Sequence, residues 1–136
     1  MLLPSEIESR SLIPAVRVII ARKLANEHGM KEDKIAKILG VTQAAVSNYV
    51  RGTRGDTQLV NKLNEIPEVK RIIDDITNEI AKNSSFRAST MAKYIGLFNY
   101  LRQSYIICDV HHTLEKDIDE EACKACESTL IKNNDN

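Results

Sequence analysis

The chain has 136 residues, 43% of them hydrophobic, and its 19 Lys and Arg balance 19 Asp and Glu. That length suits one domain with at most a small appendage, and the apolar share is enough to bury a core. Apolar runs such as Val18-Ile19-Ile20-Ala21 are far too short to span a bilayer. The start, Met1-Leu2-Leu3-Pro4-Ser5-Glu6, has neither the basic nor the long apolar region of a secretory signal, so a cytoplasmic protein is expected.

The zero net charge hides a gradient. Residues 1–55 carry nine Lys/Arg against five Asp/Glu, residues 56–107 seven against six, and residues 108–136 three against eight. The basic end suits phosphates and the acidic end does not.

In chain order, Ser11 to His28 is expected to form a helix, because Val16, Ile19, Ile20 and Leu24 recur at helical spacing. Ser11 would cap it, Pro14 would sit in its first turn and Gly29 would end it. Lys31–Leu39 forms a second helix, Gly40-Val41 a turn, and Thr42 caps a third helix reaching about Val50. Residues 51–56 read as a basic, glycine-rich loop. Thr57 opens a helix carrying Leu59, Val60, Leu63 and Ile66, which Pro67 breaks or restarts. Val69, Ile72, Ile73, Ile76 and Ile80 then make one apolar stripe to about Lys82. Ala88 to about Ile107 reads as one long last helix, and the acidic remainder has a frayed end at Asn133–Asn136. The expected fold is all-α: a helix-turn-helix DNA-binding bundle over 1–56, a helical dimerisation or support region over 57–107, and a small metal knuckle in 108–136.

The segment from Glu32 to Arg51 carries the strongest signal. Ala36 is the small residue that lets two helices cross closely, and Gly40 tolerates the positive φ of a tight turn. Ile35, Leu39, Val41, Val46 and Tyr49 take inward positions. The outer face of the second helix keeps Thr42, Gln43, Ala44, Ser47, Asn48 and Arg51, the kind of set a recognition helix brings to a major groove. Gln43 and Asn48 match adenine edges, and Ala44 a thymine methyl. Thr42 and Ser47 suit a phosphate or a base, and Lys34, Arg51 and Arg54 suit the phosphate backbone.

On these residues, together with Leu3-Pro4-Ser5-Glu6-Ile7 and Leu12-Ile13-Pro14-Ala15-Val16-Arg17, the first third of the chain resembles a family of archaeal transcriptional regulators in the phage-repressor-like helix-turn-helix superfamily. Some relatives carry a further domain related to thiamine-phosphate synthase, and this sequence is expected to lack it. The resemblance also implies paired C-x2-C elements after the DNA-binding region. Here the first pair is Cys108-Asp109-Val110-His111, with histidine in the place of the second cysteine.

The resulting ligand string is Cys108, His111, Cys123 and Cys126, with His112 as an alternative to His111. Three thiolates and an imidazole suit a closed structural zinc site. An iron–sulfur cluster is the alternative cofactor, and three ordinary thiols the third possibility. In the last helix Met91, Tyr94, Phe98, Leu101, Tyr105 and Cys108 follow a heptad seam, which points to a homodimer interface or to packing on the isoleucine stripe.

The sequence therefore supports a sequence-specific regulator binding double-stranded DNA as a homodimer. The alternatives are a metal- or redox-responsive regulator, and an adaptor or antitoxin-like module. No nucleophile–base pair, phosphate-cradling glycine loop or paired carboxylates suggest an enzyme.

Overall fold

The computed structural model describes residues 1–52 and 57–132, and all of its regular structure is helical. The chain begins with one continuous helical rod. A short α1 (Pro4–Ile7) runs through a π-helical stretch, Glu8–Leu12, into α2 (Ile13–Asn26). The helix thus starts some seven residues earlier than Ser11, and Ser11 caps nothing. The cause is Pro14. Its ring would clash with the carbonyl four residues earlier in a regular helix. The wider turn, in which the Ile13 N–H donates to the Glu8 carbonyl, moves those carbonyls aside and lets the helix continue through the proline. It also inserts one residue, so Ile7 and Leu12, five positions apart, are both buried.

Helix α2 is apolar around most of its circumference. Val16, Val18, Ile19, Ile20, Ala21 and Leu24 are all buried, which a helix tolerates only when neighbours surround it. The neighbours are α3 (Glu32–Leu39), α4 (Gln43–Arg51), α5 (Thr57–Glu65) and α6 (Pro67–Asn83), each in contact with α2. Pro67 occupies the first turn of α6, so it restarts the helix after Ile66. Along α6, Val69, Ile73, Ile76 and Ile80 are buried, and the hydroxyl of buried Thr77 donates to the Ile73 carbonyl at 2.7 Å. Lys23 of α2 reaches Asp74 of α6 at 2.6 Å.

The long last helix is two helices. Helix α7 (Ala88–Gln103) ends at Ser104, Tyr105 adopts a left-handed φ of 62°, and α8 (Ile106–Leu114) sets off afresh. A bulky residue in that region costs about 1–2 kcal/mol. The turn brings Ile106, Ile107 and Val110 into the core, and α8 packs on α1 and α7. Helix α9 (Glu120–Lys132) follows, its first amides at Glu121 and Ala122 accepted by the Asp119 carboxylate, and buried Leu130 anchors it. The tail expected to be a knuckle is therefore a pair of helices with apolar anchors. One hydrophobic cluster runs from Ile7 to Leu130, so the three expected parts of the chain share a core. Among the described residues no helix is long and apolar enough to cross a membrane. The expected fraying at Asn133–Asn136 lies outside the described residues.

Two glycines separate backbone need from spatial need. Gly40 has a φ of 71° and Gly96, inside α7, has no positive φ; an added Cβ meets nothing within 4 Å at either. Gly40→Ala should lower stability by about 1 kcal/mol through its left-handed backbone. Gly96→Ala should raise it by about 0.4–1 kcal/mol by restricting the unfolded chain. Urea unfolding followed by circular dichroism gives both signs; a loss at both positions would contradict this assignment.

Candidate nucleic-acid interface

The turn between α3 and α4 is built by its own backbone. Gly40 closes α3 in the left-handed conformation, its N–H and that of Val41 both donating to the Ala36 carbonyl. Thr42 then opens α4 in extended conformation, and its hydroxyl oxygen accepts the Ala45 N–H at 3.0 Å. Ile35, Ala36 and Val46 are buried between the two helices and α2, while Leu39, Val41 and Tyr49 pack partly buried at the edge of the same core. These are the inward positions expected from the sequence.

The outward set divides. Lys34, Thr42, Gln43, Ala44 and Arg51 are exposed, and Ser47 and Asn48 are half-buried. Lys31, just ahead of α3, and Lys37 on it add two exposed cations. Arg54 lies outside the described residues.

Helix α4 is fixed to α2 by a contact that pattern reading missed. Arg22 projects from the apolar helix α2, and its Nε donates to the Tyr49 carbonyl at 2.7 Å. A cation on the last carbonyls of a helix is favoured by both hydrogen bonding and the helix dipole. A Cβ on Gly52 would stand 3.3 Å from the same guanidinium, so the left-handed Gly52 is also a place where side-chain volume is unwelcome. The one sequence sign was a charged residue inside a run of core positions.

The cysteine and histidine set is brought together only in part. Cys123 and Cys126 lie on α9 and Cys108 on α8, all partly buried, and Cys108 is near enough to the other two to feel their charge. Burial first, then Glu127 and the neighbouring thiols, push the Cys108 thiol up to about 11. Burial and Glu127 also raise Cys123. His111 is engaged elsewhere. It is buried, and its Nε2 lies 2.9 Å from the Glu115 carboxylate. That carboxylate also accepts the Leu2 N–H at 2.7 Å and lies 3.5 Å from the chain's amino terminus. The hydrogen bond from His111 holds Glu115 below its ordinary pKa. His112 is exposed. Among the described residues no group of three or more His, Cys, Asp or Glu is arranged to hold a metal ion. The four expected ligands do not fit a closed tetrahedral site in this arrangement. Both two-residue gaps fall on helices rather than on the tight turns of a knuckle, and the His111 ring is turned to Glu115.

Comparison of the chain with protein-family models, with curated proteins and with solved structures finds no match.

Because α8 and α9 are held by Ile106, Ile107, Val110 and Leu130, a chelator should leave helix content and melting temperature unchanged. Circular dichroism before and after exhaustive chelation, with zinc, iron and sulfide analysis of oxygen-free protein, checks this. Loss of helix on chelation would show that a metal orders the tail.

Proposed function

We propose that this chain is a sequence-specific DNA-binding transcription regulator that reads the major groove through α4. The observation that carries the proposal is the composition of α4's outer face. Thr42, Gln43, Ala44 and Arg51 are exposed, as is Lys34 of α3, with no acidic residue on α4, while Val46 seats the helix in the core. Solvated helices ordinarily carry Glu as well as Lys on such a face, whereas short polar and small residues are what base edges require. The tight turn capped by Gly40 and Thr42, and the resemblance of the first third to archaeal helix-turn-helix regulators, support the same reading. Gln43 and Asn48 take base contacts, Thr42 and Ser47 contact a phosphate or base, and Lys34 and Arg51 hold phosphates.

The test separates those roles. On DNA selected for tight binding to this protein, Gln43→Ala should cost about 1–3 kcal/mol and relax preference at one position. Arg51→Ala should weaken all sequences alike and reduce the salt slope by about one. A Gln43→Ala protein with unchanged affinity and preference would remove α4 from the interface.

A homodimer fits two-fold operators, and we propose α7 as its contact, with a revised set of residues. Leu97 and Leu101 are buried within the chain, and the α7 seam stops at Tyr105. The outward residues are Met91, 49% exposed, and Ile95, 55% exposed, with Ala92 and Gly96 beside them. Ile95→Glu should convert the dimer to a folded monomer in analytical ultracentrifugation at micromolar concentration. A wild-type monomer, or a dimer that tolerates the charge, contradicts this contact.

A further inference from the structure

Beside α7 a groove of about 680 Å³ opens between the first helical rod, the end of α3 and α7. Its volume falls in the range of small-molecule sites, which are mostly apolar with a few fixed polar groups. One wall is aromatic. The rings of Phe86 and Tyr94 lie 5.4 Å apart, and those of Tyr94 and Phe98 lie 6.5 Å apart and nearly parallel. The facing wall is Ile13 with Ile38 and Leu39 of α3. Phe86, Tyr94, Phe98, Ile38 and Leu39 are only partly covered by the chain's own packing.

The polar groups in this groove differ in whether the chain satisfies them. Glu8, buried, and Arg102 satisfy each other, with the Arg102 Nε donating to Glu8 at 2.9 Å. Arg17 has no ion pair or hydrogen bond among the described residues, although its charge acts on the Tyr94 hydroxyl. Tyr94 is held neutral, its pKa pushed up to about 12 by burial, so its hydroxyl keeps a proton to donate. A guanidinium and a phenol that line one groove with an aromatic wall, the charge of the first acting on the hydroxyl of the second, match a carboxylate attached to a flat hydrophobic body.

We propose that this groove binds a small aryl carboxylate, with the carboxylate held by Arg17 and Tyr94 and the ring lying against Phe86 and Phe98 under Ile38 and Leu39. Charge complementarity selects this occupant. A neutral apolar molecule would leave Arg17 desolvated and unpaired, and a cation would be repelled. Ile38 and Leu39 belong to the last turn of α3, immediately before Gly40, so an occupant touches the helix that positions α4. That link to DNA rests on the function proposed above; the binding itself does not.

The test uses the full chain without DNA. Naphthoate and its uncharged amide are titrated by calorimetry, with the aromatic signals of Phe86 and Phe98 followed by NMR. Naphthoate should bind and shift both rings, the amide should bind at least tenfold more weakly, and Arg17→Gln should bring naphthoate down to the level of the amide while leaving the circular dichroism unchanged. Tyr94→Phe, which keeps the ring, should weaken naphthoate severalfold and provides a second readout should the Arg17 variant fail to fold. Equal binding of acid and amide, or no binding, overturns the proposal. Met91 and Ile95 line the same groove, so naphthoate binding that is seen only at protein concentrations too low for a dimer also overturns the proposal, because a second copy would then be the groove's occupant.

Discussion

The all-round burial of α2 is the constraint on which the other helices depend. A helix with buried residues on nearly every side cannot be stable alone, so four other helices must cover it. Burying each large aliphatic side chain contributes about 1.5–3 kcal/mol, and α2 supplies more fully buried positions than any other helix described. The α3–α4 hairpin is one part of this covering. Val46 and Ile35 are its pegs, and Arg22 ties the far end of α4 to the same central rod. A recognition surface on α4 would therefore be as rigid as α2 itself, and contacts to bases benefit from rigid placement.

The second organising device is the sequence of interruptions that lets one chain wrap the rod from both ends. The π-helical stretch ahead of Pro14 keeps α1 in line with α2, so that Ile7 and Glu8 extend the rod's buried face. The left-handed Tyr105 folds α8 back onto that extension, and the Glu8–Arg102 pair joins it to α7. The Glu115 carboxylate, shared between His111 and the start of the chain, closes the circuit. His111 thus serves the junction between α8 and the start of the first helical rod.

Ion pairs play a smaller part. Lys93 of α7 reaches Asp75 at 3.2 Å and Glu79 at 2.7 Å on α6, and Glu79 also accepts from Ser89. Lys93 and Asp75 are partly exposed while the Glu79 side chain is mostly covered, and pairs with an exposed partner contribute about 1 kcal/mol or less each. They set the register of α6 against α7 beside the isoleucine stripe, whose burial supplies the stability.

The sequence by itself determined the helices that end on strong local signals. Gly40 in its left-handed turn, Thr42 as a cap and Pro67 as a restart are each dictated by backbone chemistry within a few residues, and so is the inward set of Ile35 and Val46. Tertiary structure decided what local signals oppose. Pro14 reads as a helix start, yet the burial of Ile7 and Leu12 carries the helix through it at the cost of a widened turn. Tyr105 reads as mid-helix, yet the burial of Ile106, Ile107 and Val110 outweighs its left-handed strain. The spacing of Cys108, His111, Cys123 and Cys126 reads as two knuckles, but spacing does not say whether the gap is a turn or a helix, and the packing of α8 made it helical and sent His111 to Glu115. The partnership of Arg22 with Tyr49, and the absence of a partner for Arg17 among the described residues, join positions far apart in sequence. Such long-range polar geometry has no periodic trace, and only the folded arrangement of the helices creates it.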